Sequence, residues 1–148
     1  MDAPNRPKVS LAPLTRDHHE ALVVARQLRR ADVDTASLAR GSFLGYWSAR
    51  GERHLELEEQ LLLPCYAEHG GARHPLVLRM LADHVVLRAR AAWLDAEPLS
   101  PHEQLHELGR RLAAHVRMEE RELFPLIEDA VPGSELAAMI GAFAAADA

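Results

Sequence analysis

The chain carries the stretch His54-Leu-Glu-Leu-Glu-Glu-Gln-Leu-Leu-Leu-Pro64 and repeats its pattern in His115-Val-Arg-Met-Glu-Glu-Arg-Glu-Leu-Phe-Pro125. Both copies read His-x-x-x-Glu-Glu, followed by apolar residues and a proline. Four residues make about one helical turn, so each histidine and the first glutamate after it project from the same helix face. An imidazole and a carboxylate on one face supply half of a metal site, and two such helices packed together supply a whole one.

An Asp-His pair precedes each copy, Asp17-His18 in the first half and Asp83-His84 in the second. Each half therefore predicts one helix with Asp-His and one helix with His-x-x-x-Glu-Glu. His18 lies on the apolar stripe of its helix, whereas His19 lies about 100° further round. We expect four helices, each of which brings one inward histidine to a common bundle.

The composition fits one helical domain. The chain has 148 residues, is 48% hydrophobic and has few aromatic residues, which favours helices over strands. The net charge of −5 and the lack of a basic patch with interleaved aromatics argue against nucleic-acid binding. No signal peptide or long apolar run is evident, so we expect no membrane partner and a cytoplasmic location. The single Cys65 agrees with a reducing compartment.

The predicted architecture is all-α: an up-down antiparallel four-helix bundle over about 14–131, within a single domain that spans 1–148. Residues 1–13 carry three prolines and predict an extended N-terminal arm. Ser100-Pro-His-Glu103 predicts an N-cap at Ser100, and a kink is expected at Pro64 and at Pro125. The predicted helices cover about 15–30, 38–68, 75–94 and 100–130, with a short C-terminal helix at about 134–146.

The inward-facing stripes carry negative charge that no basic residue on the same stripe matches, and this indicates a bound metal. Glu58 and Glu119 would lie among leucines, and no lysine or arginine shares their stripe to neutralise them. A pair of cations would supply the missing charge. The cluster has no thiolate, and histidine precedes glutamate by four residues, which argues against a cysteine-rich zinc site and a ferritin-type di-iron site.

Other polar residues flank these stripes, each beside a candidate ligand. Glu59 and Glu120 are interpreted first as flanking groups or as partners of the ligands, with direct ligation of a metal left open. Asp17 and Asp83 are interpreted either as partners of the ligands or as plain acids near a helix N-terminus. Tyr46 is a possible proton donor near the site. Trp47 is expected in the core, although it could also line a ligand pocket.

These motifs, together with Pro13-Leu-Thr-Arg-Asp-His-His-Glu-Ala-Leu22, resemble the hemerythrin-like family, or HHE cation-binding domain, over about residues 11–130. The resemblance implies two oxo- or hydroxo-bridged irons, with manganese or zinc as possible substitutes. Glu58 and Glu119 would be bridging carboxylates. The implied terminal ligands are His18, His54, His84 and His115.

One position departs from the oxygen-carrying members of that family, which place a further histidine four residues from the one on the third helix. Here the residues four before and four after His84 are Met80 and Arg88. Two six-coordinate irons offer twelve positions. Four imidazoles, two bridging carboxylates and one bridging oxygen fill ten, so two positions would stay open to a small molecule.

The expected function is that of a non-heme di-iron protein that binds or reacts with O₂, peroxide or NO. A peroxide- or NO-reducing activity stays open, and no catalytic residue is assigned. One alternative is iron handling, or iron or oxygen sensing, without turnover. The other is a metal-free helical interaction protein, which predicts that His54→Ala with His115→Ala changes neither stability nor colour.

Overall fold

A computed structural model describes residues 9–99 and 101–147 of the chain. Its only regular elements in these residues are helical, so the predicted all-α class is confirmed. Most of the predicted N-terminal arm falls on residues 1–8, which lie outside the described residues, as does the predicted N-cap Ser100. The first described element is a 3₁₀ turn, Ala12–Thr15, which leads directly into the first α-helix.

The helical bounds agree with the predicted ones to within two residues. The segment 36–67 is one nearly continuous helix interrupted by two π turns, and 102–130 is another with one π turn. The elements are α1 Arg16–Arg29, α2 Ala36–Tyr46, a π turn Trp47–Gly51, α3 Glu52–Leu57, a π turn Glu58–Leu62, α4 Leu63–Ala67, α5 Pro75–Ala96, α6 His102–Met118, a π turn Glu119–Leu123, α7 Phe124–Ala130 and α8 Gly133–Asp147.

Local chemistry explains the turn between α4 and α5. Gly70 has a φ of +90°, a left-handed conformation that glycine adopts without steric cost, so the chain leaves the helix there. His74 is extended and accepts a hydrogen bond from the Leu76 N–H, which caps the next helix. Pro75 occupies the first helical position, where no backbone N–H is needed.

The two motif prolines each follow a π turn. In an α-helix, the ring of Pro64 would clash with the carbonyl four residues earlier. The structure widens the turn instead, and the Leu63 N–H bonds to the carbonyl of Glu58, five residues back. Phe124 bonds in the same way to Glu119, ahead of Pro125. The sequence predicted a disturbance at each proline but not its form.

The apolar side chains form two separate clusters. The first contains Leu55, Leu87 and Val116, and the second contains Leu57, Met80 and Met118. The change from one cluster to the other falls between Leu55 and Leu57 on α3, between Met80 and Leu87 on α5 and between Val116 and Met118 on α6, close to the candidate ligands of these helices. It follows that the polar side chains between them cross the bundle as a layer between two apolar regions.

The C-terminal helix covers one side of the molecule, as predicted. It packs on α3, α4 and the 3₁₀ turn, and Leu136, Met139 and Phe143 are buried in the second cluster. No described helix combines the length and apolar character that a membrane span requires.

Candidate metal centre

The six predicted ligands converge in the interior. His18 lies on α1, His54 on α3, His84 on α5 and His115 on α6. Glu58 and Glu119 are each the first residue of a π turn. All six are buried, with exposed fractions of 4% for His18, 4% for His54, 0% for Glu58, 0% for His84, 3% for His115 and 0% for Glu119.

The ligand atoms form two groups that share both glutamates. Within each group, one atom from each residue lies within 4.8 Å of the others. Each group contains two histidines, so the imidazoles are divided evenly between two sites. The groups are His18, His54, Glu58 and Glu119, and Glu58, His84, His115 and Glu119.

Every imidazole directs its Nε2 at a shared carboxylate. The closest contacts are His18 Nε2 to Glu119 Oε2 at 3.0 Å, His54 Nε2 to Glu58 Oε2 at 3.6 Å, His84 Nε2 to Glu58 Oε1 at 3.3 Å and His115 Nε2 to Glu119 Oε1 at 2.7 Å. Each glutamate thus faces one histidine of its own helical segment and one from the other half of the chain.

Seven of these buried polar atoms have no hydrogen-bond partner among the described residues. Even the close approach of His115 to Glu119 lacks hydrogen-bond geometry. Buried polar atoms are seldom left unsatisfied, because losing their hydration costs free energy. Imidazole nitrogens and carboxylate oxygens are good ligands for iron, manganese and zinc, so the residues present fit a pair of such cations. The seven atoms are His54 Nε2, His84 Nε2, His115 Nε2 and both carboxylate oxygens of Glu58 and Glu119.

The four acids predicted to flank the ligands each contact the Nδ1 of one imidazole. Such a contact fixes the orientation of the ring and leaves Nε2 toward the site. The pairs are Asp17 with His54 at 3.2 Å, Glu59 with His84 at 2.7 Å, Asp83 with His115 at 3.1 Å and Glu120 with His18 at 2.9 Å. The acids on the first three helical segments each contact a histidine on the next segment along the chain. Glu120, on the fourth segment, contacts His18 on α1. We call this arrangement the carboxylate ring.

Without a cation, protons neutralise this cluster. Burial lowers the pKa of His54, but the charge of Glu58 and the hydrogen bond with Asp17 outweigh it and raise this pKa to about 11. The pKa of His115 rises to about 10 and that of His84 to about 9 against the same effect of burial, owing chiefly to the shared carboxylates. Burial raises the pKa of Glu119, yet the charge of His115 holds it well below its ordinary value. Metal ions must therefore displace protons.

The two positions where a fifth histidine was sought supply no imidazole. Met80 is fully buried in the second apolar cluster. Arg88 points to Glu59, with 2.7 Å between Nη2 and Oε2, and so contacts the carboxylate ring instead.

Tyr46 and Trp47 lie beside the site in the first apolar cluster. Burial raises the pKa of Tyr46, and the negative charges of Asp17 and Glu58 raise it further, so the phenol stays protonated. Trp47 stacks on Phe43, with ring centroids 5.9 Å apart, which confirms it as a core residue.

Sequence reasoning missed two aromatic neighbours of the ligands. Phe124 stacks on His18 with ring centroids 5.8 Å apart, and Phe143 of α8 meets His54 edge-on at 5.4 Å. The apolar spacing of Leu136, Met139 and Phe143 predicts a buried face on α8. That spacing carries no information on which ligand the face would cover.

A third group of possible ligands, Glu68, His69 and Glu135, lies away from the core. Both glutamates are exposed, and His69 is half-buried. His69 Nε2 contacts the Glu135 carboxylate directly, so an ordinary ion pair between α8 and the end of α4 accounts for the group.

Comparison with known proteins bears on the two central groups. The family model described as the hemerythrin HHE cation binding domain matches residues 9–127 of this chain. Neither the curated proteins nor the solved structures provide a match. The matched region contains all six candidate ligands and ends before α8.

Proposed function

The chain belongs to the hemerythrin HHE cation-binding domain family, and from that premise we propose that it is a non-heme di-iron protein that binds or reacts with O₂, peroxide or NO. The observation that carries the proposal is the pair of buried groups with two imidazoles each and two shared carboxylates. Such a donor set suits two cations that share both glutamates. We also propose an up-down antiparallel four-helix bundle in a single domain spanning 1–148; the contacts of α1 with α2 and α6, and of α5 with α6, support the packing of these helices into one bundle.

In this proposal, the six buried residues hold the cofactor. Both cations would share Glu58 and Glu119, and the Nε2 atoms of His18, His54, His84 and His115 would supply the remaining protein ligands. An oxo or hydroxo bridge is the non-protein ligand that the family resemblance implies, and manganese or zinc could replace iron. The bound metal pair would supply redox chemistry and open coordination positions for a small molecule.

The carboxylate ring orients the imidazoles and connects them with solvent. Each acid accepts a hydrogen bond from Nδ1–H, which leaves the Nε2 lone pair directed inward. Asp17 is 8% exposed, so the His54 side is closed to water. Glu59 and Glu120 have side-chain exposures of 29% and 38%, and each gives a proton on Nδ1 a path to the surface.

The apolar surroundings restrict access of water to the site. Leu57, Leu62 and Leu123 are nearly or completely inaccessible to solvent. Exclusion of water strengthens the electrostatic interactions within the site and would shield a bound diatomic molecule from water. Tyr46 is the proton donor expected from the sequence, but the raised pKa of its phenol suits it to donating a hydrogen bond rather than releasing a proton.

Metal content decides the first part of the proposal. Protein purified from an iron-supplemented host should contain two irons per chain and absorb visible light as bridged ferric iron does. Glu119→Gln should lower the iron content, because the amide provides one neutral oxygen in place of a shared anion. Glu107→Gln is the matched control, since Glu107 pairs with Arg110 and Arg111 on the surface. Protein that takes up no metal, even after anaerobic addition of ferrous iron, would refute the proposal.

Reactivity decides the second part. Reversible O₂ binding without consumption of a reductant indicates carriage, whereas sustained loss of peroxide or NO indicates an enzyme. An iron-loaded protein that does neither, yet unfolds when iron is removed, supports iron handling or sensing instead.

A further inference from the structure

The groove between α1 and α6 collects positive charge on the surface. Its volume is about 580 Å³, and four arginines line it: Arg26, Arg29, Arg30 and Arg117. None of the four forms an ion pair with a carboxylate in the part of the chain that the structure describes. His19 lies at one end of the groove.

This concentration of charge contrasts with the rest of the surface. The chain has a net charge of −5, and six arginines outside the groove pair with carboxylates: Arg50, Arg53, Arg79, Arg88, Arg110 and Arg111. Arg50 pairs with Glu20 at 3.1 Å, and Arg53 pairs with Glu56 at 3.2 Å. Unpaired like charges repel one another, so the groove carries an electrostatic cost that a bound anion would relieve.

Close packing of the two helices brings these arginines together. A Cβ atom on Gly109 of α6 would lie 2.6 Å from the backbone oxygen of Ala25 and 2.8 Å from Cγ of Arg29. Only glycine fits this contact, and the stem of Arg29 therefore lies against α6. The sequence did not reveal the groove, because its cations come from helices about ninety residues apart.

Favourable interaction with the C-terminal end of a helix explains the positions of only some of the four arginines. Arg26 and Arg29 lie in the last turn of α1, where cations stabilise free carbonyl groups. Arg117, however, lies on α6, which continues through a π turn into α7 and has no free end at that point. A purely helix-stabilising role does not explain why its charge faces the same groove.

The shape and lining of the groove define the ligand. It extends from His19 to Arg30, about 16 Å along a helix with a 1.5 Å rise per residue, which leaves room for an organic part beside the phosphate groups. Leu22 is half-buried and Val23 is 45% exposed between the charged residues, which provides an apolar floor. Apart from His19 at one end, the described lining contains no aromatic ring, so it offers no row of rings on which successive nucleic-acid bases could stack.

We propose that this groove binds an organic polyphosphate, with the phosphate groups on the four guanidinium groups and the organic part against Leu22 and Val23. Guanidinium groups pair with phosphate oxygens through charge-assisted, often bidentate, hydrogen bonds. The proposal is independent of the metal centre, because none of the six candidate ligands lines the groove.

Binding of ATP provides the test. Equilibrium dialysis of the full-length protein at low ionic strength should show saturable binding, with inorganic triphosphate binding more weakly because it lacks the organic part. Arg26→Ala with Arg117→Ala should weaken ATP binding by at least about tenfold. The matched control is Arg53→Ala with Arg79→Ala, which removes the same charge from two residues that do not line the groove.

A further variant separates two contributions to ATP binding: contact of the organic part with Val23 and attraction between the phosphates and the arginines. Val23→Ser should reduce ATP binding toward that of inorganic triphosphate and leave the latter unchanged. No binding of either compound at about 1 mM, or equal losses in the two arginine double variants, would overturn the proposal. Tighter binding of a single-stranded RNA oligonucleotide than of ATP through the same arginines would also overturn it.

Discussion

Asp17 Oδ2 lies 3.2 Å from the Nδ1 of His54, although the two residues are 37 positions apart in the chain. The acid next to one inward histidine thus orients a different histidine. His18 is held in turn by Glu120. Loss of one acid should therefore affect a ligand on another helical segment.

Asp17→Asn should weaken metal binding without unfolding the protein. An asparagine amide that donates to Nδ1 would favour the wrong tautomer of His54, with the proton on Nε2. Loss of such a partner typically lowers metal affinity about 10–100-fold. Competition with a coloured chelator measures this change. Asp34→Asn, at an exposed loop position, is the control, and equal affinities in the two variants would contradict the assigned role of Asp17.

The stability of the metal-free protein should decrease as the pH rises. The folded-state pKa values of His54, His115 and His84 are about 11, 10 and 9, above the ordinary value of 6.5. The folded protein therefore binds more protons than the unfolded one between these limits. The extra bound protons increase the free energy of unfolding. This stabilisation is fully present below pH 6.5 and is lost as the pH rises through about 9 to 11.

Urea unfolding at pH 6, 8 and 10 measures this dependence. The metal-loaded protein should not lose stability through deprotonation of these histidines, because the bound cations replace the protons. Metal-free protein whose stability is constant or increases over this range would contradict the prediction. Metal addition at neutral pH should also release protons, which an indicator dye detects in weak buffer.

Phe143→Leu should make the metal easier to remove. The Phe143 ring covers the edge of His54, and leucine is smaller and differently shaped. We expect faster metal loss to a chelator, with unfolding stability lowered by about 1 kcal/mol. Phe43→Leu changes a fully buried phenylalanine in the other apolar cluster and is the control. If both variants release metal at the same rate, Phe143 has no specific covering role.

Gly109→Ala should destabilise the bundle, whereas Gly45→Ala should stabilise it. The new methyl group at position 109 would meet the Ala25 backbone at 2.6 Å, so α1 and α6 would have to separate. We expect a loss of about 1–3 kcal/mol. Gly45 has open space around its would-be Cβ, so alanine there should add about 0.5–1 kcal/mol. Urea unfolding of both variants measures the difference, and effects of the same sign would contradict the packing.

The two motif copies, together with the Asp-His pair that precedes each of them, were sufficient to predict the six inward side chains. The four-residue spacing of His54 and Glu58 places both on one helix face, and the burial of a carboxylate beside leucines points to a matching charge. Glu59 was predicted to contact a ligand. Its partner, His84, could not be predicted, because the pairing depends on how α3 and α5 are rotated about their axes.

The π turns were also beyond prediction from sequence. Pro64 indicates that an ordinary α-helical turn is disfavoured, but a kink, a break and a wider turn all relieve the same clash. The choice depends on the packing of neighbouring helices. For the same reason, the sequence predicted that α8 could cover one side of the bundle without identifying Phe143 as a neighbour of His54.

The carboxylate ring has a consequence for the origin of the chain. Within each half, an aspartate holds a histidine of the same half: Asp17 with His54, and Asp83 with His115. Between halves, a glutamate of one half holds a histidine of the other. Two identical copies of a single half would make the same four contacts, as expected if a two-helix ancestor first assembled as a homodimer and was later duplicated and fused. Separately expressed halves should therefore reassociate into a metal-binding protein.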